Sequence, residues 1–119
     1  MEISIYNDIG RTADSIDHFM DFYYSLQMRY LASDLLDKGL SPDHISDAVV
    51  RAIRAGKSSG MDMRKHFMPV FSAINKEIIR DCKLSEMGYG LVLMNADVKI
   101  PAVGKWQTKV LEEYYFAGN

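Results

Sequence analysis

Between positions 38 and 42 the chain reads Lys-Gly-Leu-Ser-Pro, a helix stop followed at once by a helix start. A basic residue before glycine suits the last turn of a helix and the left-handed residue that closes it. Serine before proline supplies a capping hydroxyl and then a first helical residue that needs no amide hydrogen. A chain punctuated in this way folds as consecutive helices joined by tight corners, and the apolar spacing on both sides agrees. Upstream, Thr12 or Asp14 caps a long helix whose stripe is Ile16, Phe19, Met20, Tyr23, Leu26, Tyr30, Leu31 and Leu35. Downstream, Ile45, Val49, Ala52 and Ile53 recur with helical period until Gly56-Lys-Ser-Ser-Gly60 ends the run.

The remaining segments are read in the same way. Residues 63–74 form a third helix with Phe67, Val70, Phe71 and Ile74 inward, weakened by Pro69. Residues 2–6 alternate around Ile3 and Ile5, residues 77–82 are β-leaning around Ile78 and Ile79, and pairing the two gives each short strand a partner. Residues 84–96 place Leu84, Met87, Leu91 and Asn95 on one helical face, and a last helix beyond Pro101 turns Val103, Trp106, Val110 and Tyr114 inward. The expected fold is therefore mainly α, a single domain over residues 1–119 with about five helices and a small two-stranded β element, 2–6 and 77–82.

Gly88-Tyr-Gly90 hints at a dinucleotide fingerprint, but the third glycine of that motif would stand at position 93, which is Leu93. Two glycines inside a helix together cost about 2 kcal/mol relative to alanine. Close approach of another backbone, that of the Trp106 helix, is the expected compensation.

Composition narrows the function classes. Hydrophobic residues make up 48% and charged residues 25%, the balance of a folded globular chain. The longest uncharged apolar run, 87–96, is too short to span a bilayer, and the acidic N-terminus does not read as a secretory signal. A single cysteine, Cys82, suits a reducing cytoplasm. The net charge of −2 hides an asymmetry: residues 1–48 hold nine acidic groups against three basic ones, and residues 49–119 hold seven against eleven. Such polarity lets one end meet a polyanion while the other meets a basic surface.

No catalytic or metal-binding set emerges. Asp14, Asp17 and Asp21 share helical spacing beside His18, but acidic residues early in a helix are favoured by its dipole alone. His18, His44 and His66 lack zinc-ligand spacing, and Gly56-Lys57-Ser58 lacks the first glycine of a phosphate loop because Arg51 stands there. Asp62 and His66, four apart, are spaced to pair on one helix face. The basic run Arg51, Arg54, Lys57, Arg64 and Lys65 is the natural candidate for phosphate contact. Tyr23, Tyr24, Tyr114, Tyr115 and Phe116 suit either a core or an interface, whether with a partner or in a homodimer.

Three segments carry a resemblance. They are Tyr30-Leu-Ala-Ser-Asp-Leu-Leu-Asp-Lys-Gly39; Val50-Arg-Ala-Ile-Arg-Ala-Gly-Lys-Ser-Ser-Gly60 followed by His66-Phe67 and Val70; and Asp81-Cys-Lys-Leu-Ser85 with Tyr89, Leu91, Asn95-Ala-Asp97, Pro101, Val103 and Gln107. In order and approximate spacing, over about residues 30–112, they resemble the DinD and Bro-N group of damage-inducible and phage antirepressor domains. The chain departs from that pattern at Glu86-Met87, where the family has Arg-Tyr, at Val98 in place of proline, and at Thr108-Lys109-Val110. The resemblance implies a cytoplasmic, non-enzymatic regulator of phage or mobile-element type, acting on DNA or on a DNA-repair or repressor nucleoprotein; no cofactor or metal is expected from the residues. On that expectation Arg51, Arg54, Lys57, Arg64 and Lys65 bind the nucleic acid. The alternative is a phage-type inhibitor whose acidic helix, through Asp14, Asp17 and Asp21, occupies a basic surface on a host protein.

Overall fold

A computed structural model describes residues 8–117, with side chains from Ser15 onward. In chain order the elements are α1 (Asp8–Ser25), β1 (Tyr30–Leu31), a 3-10 helix (Ala32–Lys38), α2 (Pro42–Ser58), a single 3-10 turn (Met63–Lys65), β2 (Phe67–Ile74), β3 (Glu77–Leu84), α3 (Glu86–Met94) and α4 (Pro101–Ala117). Among the described residues the fold is mainly α, with five helices beside a small antiparallel sheet.

The stop-and-start at 38–42 forms as its chemistry dictates. Gly39 closes the 3-10 helix at φ 98°, and Ser41 Oγ accepts the His44 amide hydrogen at 3.1 Å with Pro42 as first helical residue. The long helix expected before it does not run through. α1 ends at Ser25, and Tyr30 and Leu31 become a strand opposite Leu84 and Lys83. Leu31 stays extended because its amide donates to the Asp34 carboxylate at 2.9 Å, a local bond that competes with helix.

The β element also differs from expectation. The sheet has three strands in the order β1-β3-β2, all antiparallel, and 77–82 falls within β3. Its main partner is β2, paired from Phe67 opposite Leu84 to Ile74 opposite Glu77. The strand expected at 2–6 lies outside the described residues. Residues 63–74 are therefore not a helix beyond the short turn at Met63–Lys65. Positions 67, 70, 71 and 74 satisfy a helical stripe, yet burial alternates along β2, and Phe71 is 74% exposed. Pro69 decides the matter: it removes a helical hydrogen bond but is tolerated on an edge strand, which β2 is. The hairpin turns on Asn75 and Lys76, whose φ of 53° and 69° match the two-residue turn that suits the twist of paired strands.

The core lies where α2, α3, β3 and the 3-10 helix meet. Leu35, Leu84, Val92, Leu93 and Val103 are fully buried there, with Ala48 and Ala52 letting α2 approach α3. The buried face of α3 is Gly88, Val92 and Leu93, rotated from the expected stripe, so Met87 is exposed. The two glycines have different neighbours. A Cβ at Gly88 would sit 2.5 Å from the His66 carbonyl oxygen, and one at Gly90 would sit 3.3 Å from the Trp106 ring. The close backbone approach is therefore at Gly88 and comes from His66, whereas the Trp106 helix reaches Gly90 with a side-chain ring and not with its backbone. On α4, Val103 is buried and Trp106 packs against the core, whereas Tyr114, expected inward, is exposed.

Candidate nucleic-acid interface

The five basic residues of the run do not form one patch. Arg51, Arg54 and Lys57 recur every third residue along the C-terminal half of α2, where cations also suit the helix dipole. All three are exposed. Arg51 donates to the Asn95 carbonyl at 3.2 Å and so caps the end of α3. Arg54 and Lys57 have no ion pair or hydrogen-bonding partner among the described residues. Asp43 and Asp47 lie on the N-terminal half of the same helix, at spacings that put them near the same ridge, so its positive part is confined to 51–57.

Arg64 and Lys65 point elsewhere. Arg64 caps no helix and faces α1: its Nη2 donates to Asp21 Oδ1 at 2.9 Å and to the Asp17 carbonyl at 3.1 Å, and its Nε donates to the same Asp21 oxygen. A longer 3.8 Å pair reaches the Asp17 carboxylate. The hydrogen bond to Asp21, opposed by some loss of hydration, holds the Arg64 guanidinium above its already high ordinary value. Lys65 Nζ and the Arg64 guanidinium both lie about 6 Å from the centre of the Tyr24 ring, close enough for cation–π attraction. The basic candidates and the acidic candidates thus meet each other, and Asp17 and Asp21 already have a cation. The Asp14 side chain lies outside the described residues.

Other pairings run against the sequence expectation. Asp62 does not reach His66; its carboxylate accepts the Arg64 amide hydrogen at 3.3 Å. His66 instead shares a 2.7 Å hydrogen bond with Ser85 Oγ, which caps α3 by accepting the Gly88 amide at 2.9 Å. A serine beside a histidine has the look of a nucleophile and its base. Ser85 is buried, however, its oxygen is committed to the cap, and among the described residues no carboxylate orients His66. The leucine-serine start of α3 was visible in the sequence, but the histidine that joins it is 19 residues away.

Asp81 is the most heavily bonded acid. It accepts from the Ser33 amide at 3.0 Å and the Ser33 hydroxyl, from Ser72 Oγ at 2.6 Å and from the Cys82 amide at 2.8 Å. Partial burial pushes its carboxyl up, and these four donors outweigh that and hold it below the usual carboxylate range. It borders an apolar groove of about 280 Å³ between the 3-10 helix, α2 and β3, lined by Leu36, Ile45, Val49, Ile79 and Cys82. Burial raises the Cys82 thiol, with Asp81 adding to the rise, so it is not an activated nucleophile.

Several positions that carry the resemblance are tied into the fold. Tyr30 stacks on Tyr89 with ring centres 4.3 Å apart, Asn95 donates back to the Leu91 carbonyl, and Gln107 donates to the Leu93 carbonyl, both at 2.9 Å. Among the described residues no helix is long and apolar enough to cross a membrane. Compared with protein-family models, curated proteins and solved structures, the chain matches none of them.

Proposed function

We propose that this chain is a cytoplasmic, non-enzymatic regulatory module of the DinD or Bro-N-like kind that contacts DNA, free or within a nucleoprotein, through the C-terminal half of α2. One observation carries the reading: Arg54 and Lys57 stand exposed one turn apart with no partner among the described residues, beside Arg51, whose guanidinium has donors to spare beyond its bond to the Asn95 carbonyl. Cations left unpaired on a helix ridge are free to neutralise phosphates, whereas Arg64 and Lys65 are engaged by α1. The interface is accordingly narrower than the five-residue run. The alternative, an acidic helix on a basic host protein, requires the partner's cations to displace Arg64 from Asp17 and Asp21.

A gel shift with a short DNA duplex across a salt series tests this. Three phosphate contacts give a slope of log affinity on log salt near −3, and the Arg54→Ala, Lys57→Ala double variant lowers its magnitude by about two. An absence of binding at low salt, or binding that the double variant leaves intact, overturns the proposal. A host protein captured by the wild type and lost on Asp17→Asn, Asp21→Asn substitution would transfer the reading to the acidic helix.

A further inference from the structure

The first helix is attached the wrong way round for a monomer. α1 is amphipathic, yet the edge it presents to the body carries Asp17, Asp21 and Tyr24, held by Arg64 and Lys65, beside a half-buried Met20 and a buried Ser25. Its apolar stripe faces solvent, with Phe19 63% exposed, Leu26 in the turn just after the helix 60% exposed, and Ile16, Phe22 and Tyr23 about half or more exposed. A short helix gains most of its stability from burying such a stripe. At the other end, the stripe of α4 begins in the core at Val103 and Trp106 and then runs out of it. Leu111 and Tyr114 continue that stripe on the projecting half, Tyr114 being 72% exposed. The radius of gyration is 17.2 Å, against about 13 Å for a compact domain of this length. The two terminal helices thus carry apolar surface away from the body.

From these features we infer that the chain forms a two-fold homodimer in which α1 of each copy packs its apolar stripe against the projecting half of the partner's α4. The areas argue for a second copy. Taking roughly 200 Å² for a large apolar side chain, the exposed fractions amount to about 600 Å² on α1 with the turn that ends it and about 250 Å² on α4. A stable interface takes about 800 Å² from each partner. Neither helix supplies that alone, but both together reach it. A reciprocal dimer buries both on each copy with one symmetry operation, and it closes. The Arg64–Asp21 link sets the orientation of α1 that keeps its stripe outward. Dimerisation also places two α2 ridges in one assembly, but it stands independently of the nucleic-acid reading, because neither ridge lies in the interface.

Sedimentation of the full chain at micromolar concentration tests this. The expected mass is twice that of the 13.5 kDa chain. Phe19→Asp on α1 and Tyr114→Asp on α4 each return a monomer with unchanged circular dichroism, since both side chains are exposed and the substitutions leave the core intact. Mixing the two variants in equal amounts restores a dimer, weaker than wild type, because one of its two α1–α4 contacts is then wholly wild type. A monomeric wild type, a dimer indifferent to both variants, an open polymer, or a mixture that stays monomeric overturns the arrangement. Arg54→Ala with Lys57→Ala leaves the mass unchanged, so failure of the DNA proposal and failure of this one are separately visible.

Discussion

Arg64 reaches across 43 residues of sequence to Asp21 and grips one carboxylate oxygen with both Nε and Nη2, at 3.1 and 2.9 Å. The bond joins a residue of the basic run to one of the acidic helix, so the two charged halves of the chain meet inside one molecule. It also decides which face of α1 looks outward. Exposed ion pairs add little to global stability, so its loss should show locally. Arg64→Ala is expected to leave the cooperative melting transition nearly unchanged while trypsin cleaves after the exposed Arg29, in the link between α1 and β1, several-fold faster. Equal cleavage rates in both chains would show that α1 is held by other contacts.

Gly88 and Gly90 separate two kinds of close approach. Gly88→Ala drives a Cβ to 2.5 Å from a backbone carbonyl that cannot retreat without moving β2, and should cost about 2–4 kcal/mol by denaturant unfolding. Gly90→Ala meets only the far edge of the Trp106 ring at 3.3 Å and gains about 1 kcal/mol of helix propensity, so its net change should stay within about 1 kcal/mol of zero.

Asp81 links the start of the 3-10 helix to both long strands, and Asp81→Ala should cost about 2–3 kcal/mol. Because its carboxyl is held below the ordinary range, its contribution is complete above the unfolded value near 3.9 and is lost as the pH falls through the lower folded value. Urea titrations of wild type and variant should therefore differ by a constant amount from about pH 5 upward and converge toward pH 2. A gap that widens on acidification would contradict the assignment.

Lys76 holds φ 69°, a conformation that glycine adopts without strain. Lys76→Gly completes the Asn-Gly pair favoured in this turn and should add about 0.5–1 kcal/mol, a rise of a few degrees in Tm. Calorimetry of the single variant is sufficient to read it.

Within the α2 ridge the three cations should behave differently. Arg51→Ala removes a cap from α3 and should lower stability by about 0.5–1.5 kcal/mol, whereas Arg54→Ala and Lys57→Ala should stay within about 0.5 kcal/mol of wild type. Any binding defect of the latter pair is then attributable to lost charge rather than lost fold.

The local chemistry of the chain was enough to determine α2 with both its corners, the start and end of α3, the existence of α4 and the β character of 77–82. In each case the deciding partners lie within a few residues, as Ser41 with His44 and Ser85 with Gly88 do. The same holds for the basic ridge, whose spacing on α2 is a property of the helix itself. What the local pattern misassigned depends on pairing with another segment rather than on the segment itself. Tyr30 and Leu31 leave the helical rhythm to pair with β3, and 67–74 is a strand because β3 is there to pair with it and Pro69 is safe at its edge. Likewise, the pairing of Arg64 with Asp21 and of His66 with Ser85, and the outward turn of the α1 stripe, follow from how separate elements come to rest on one another. Periodicity reveals that a helix has an apolar face; only the packed structure decides whether that face is covered, because coverage is a property of two surfaces and the sequence of a helix describes one.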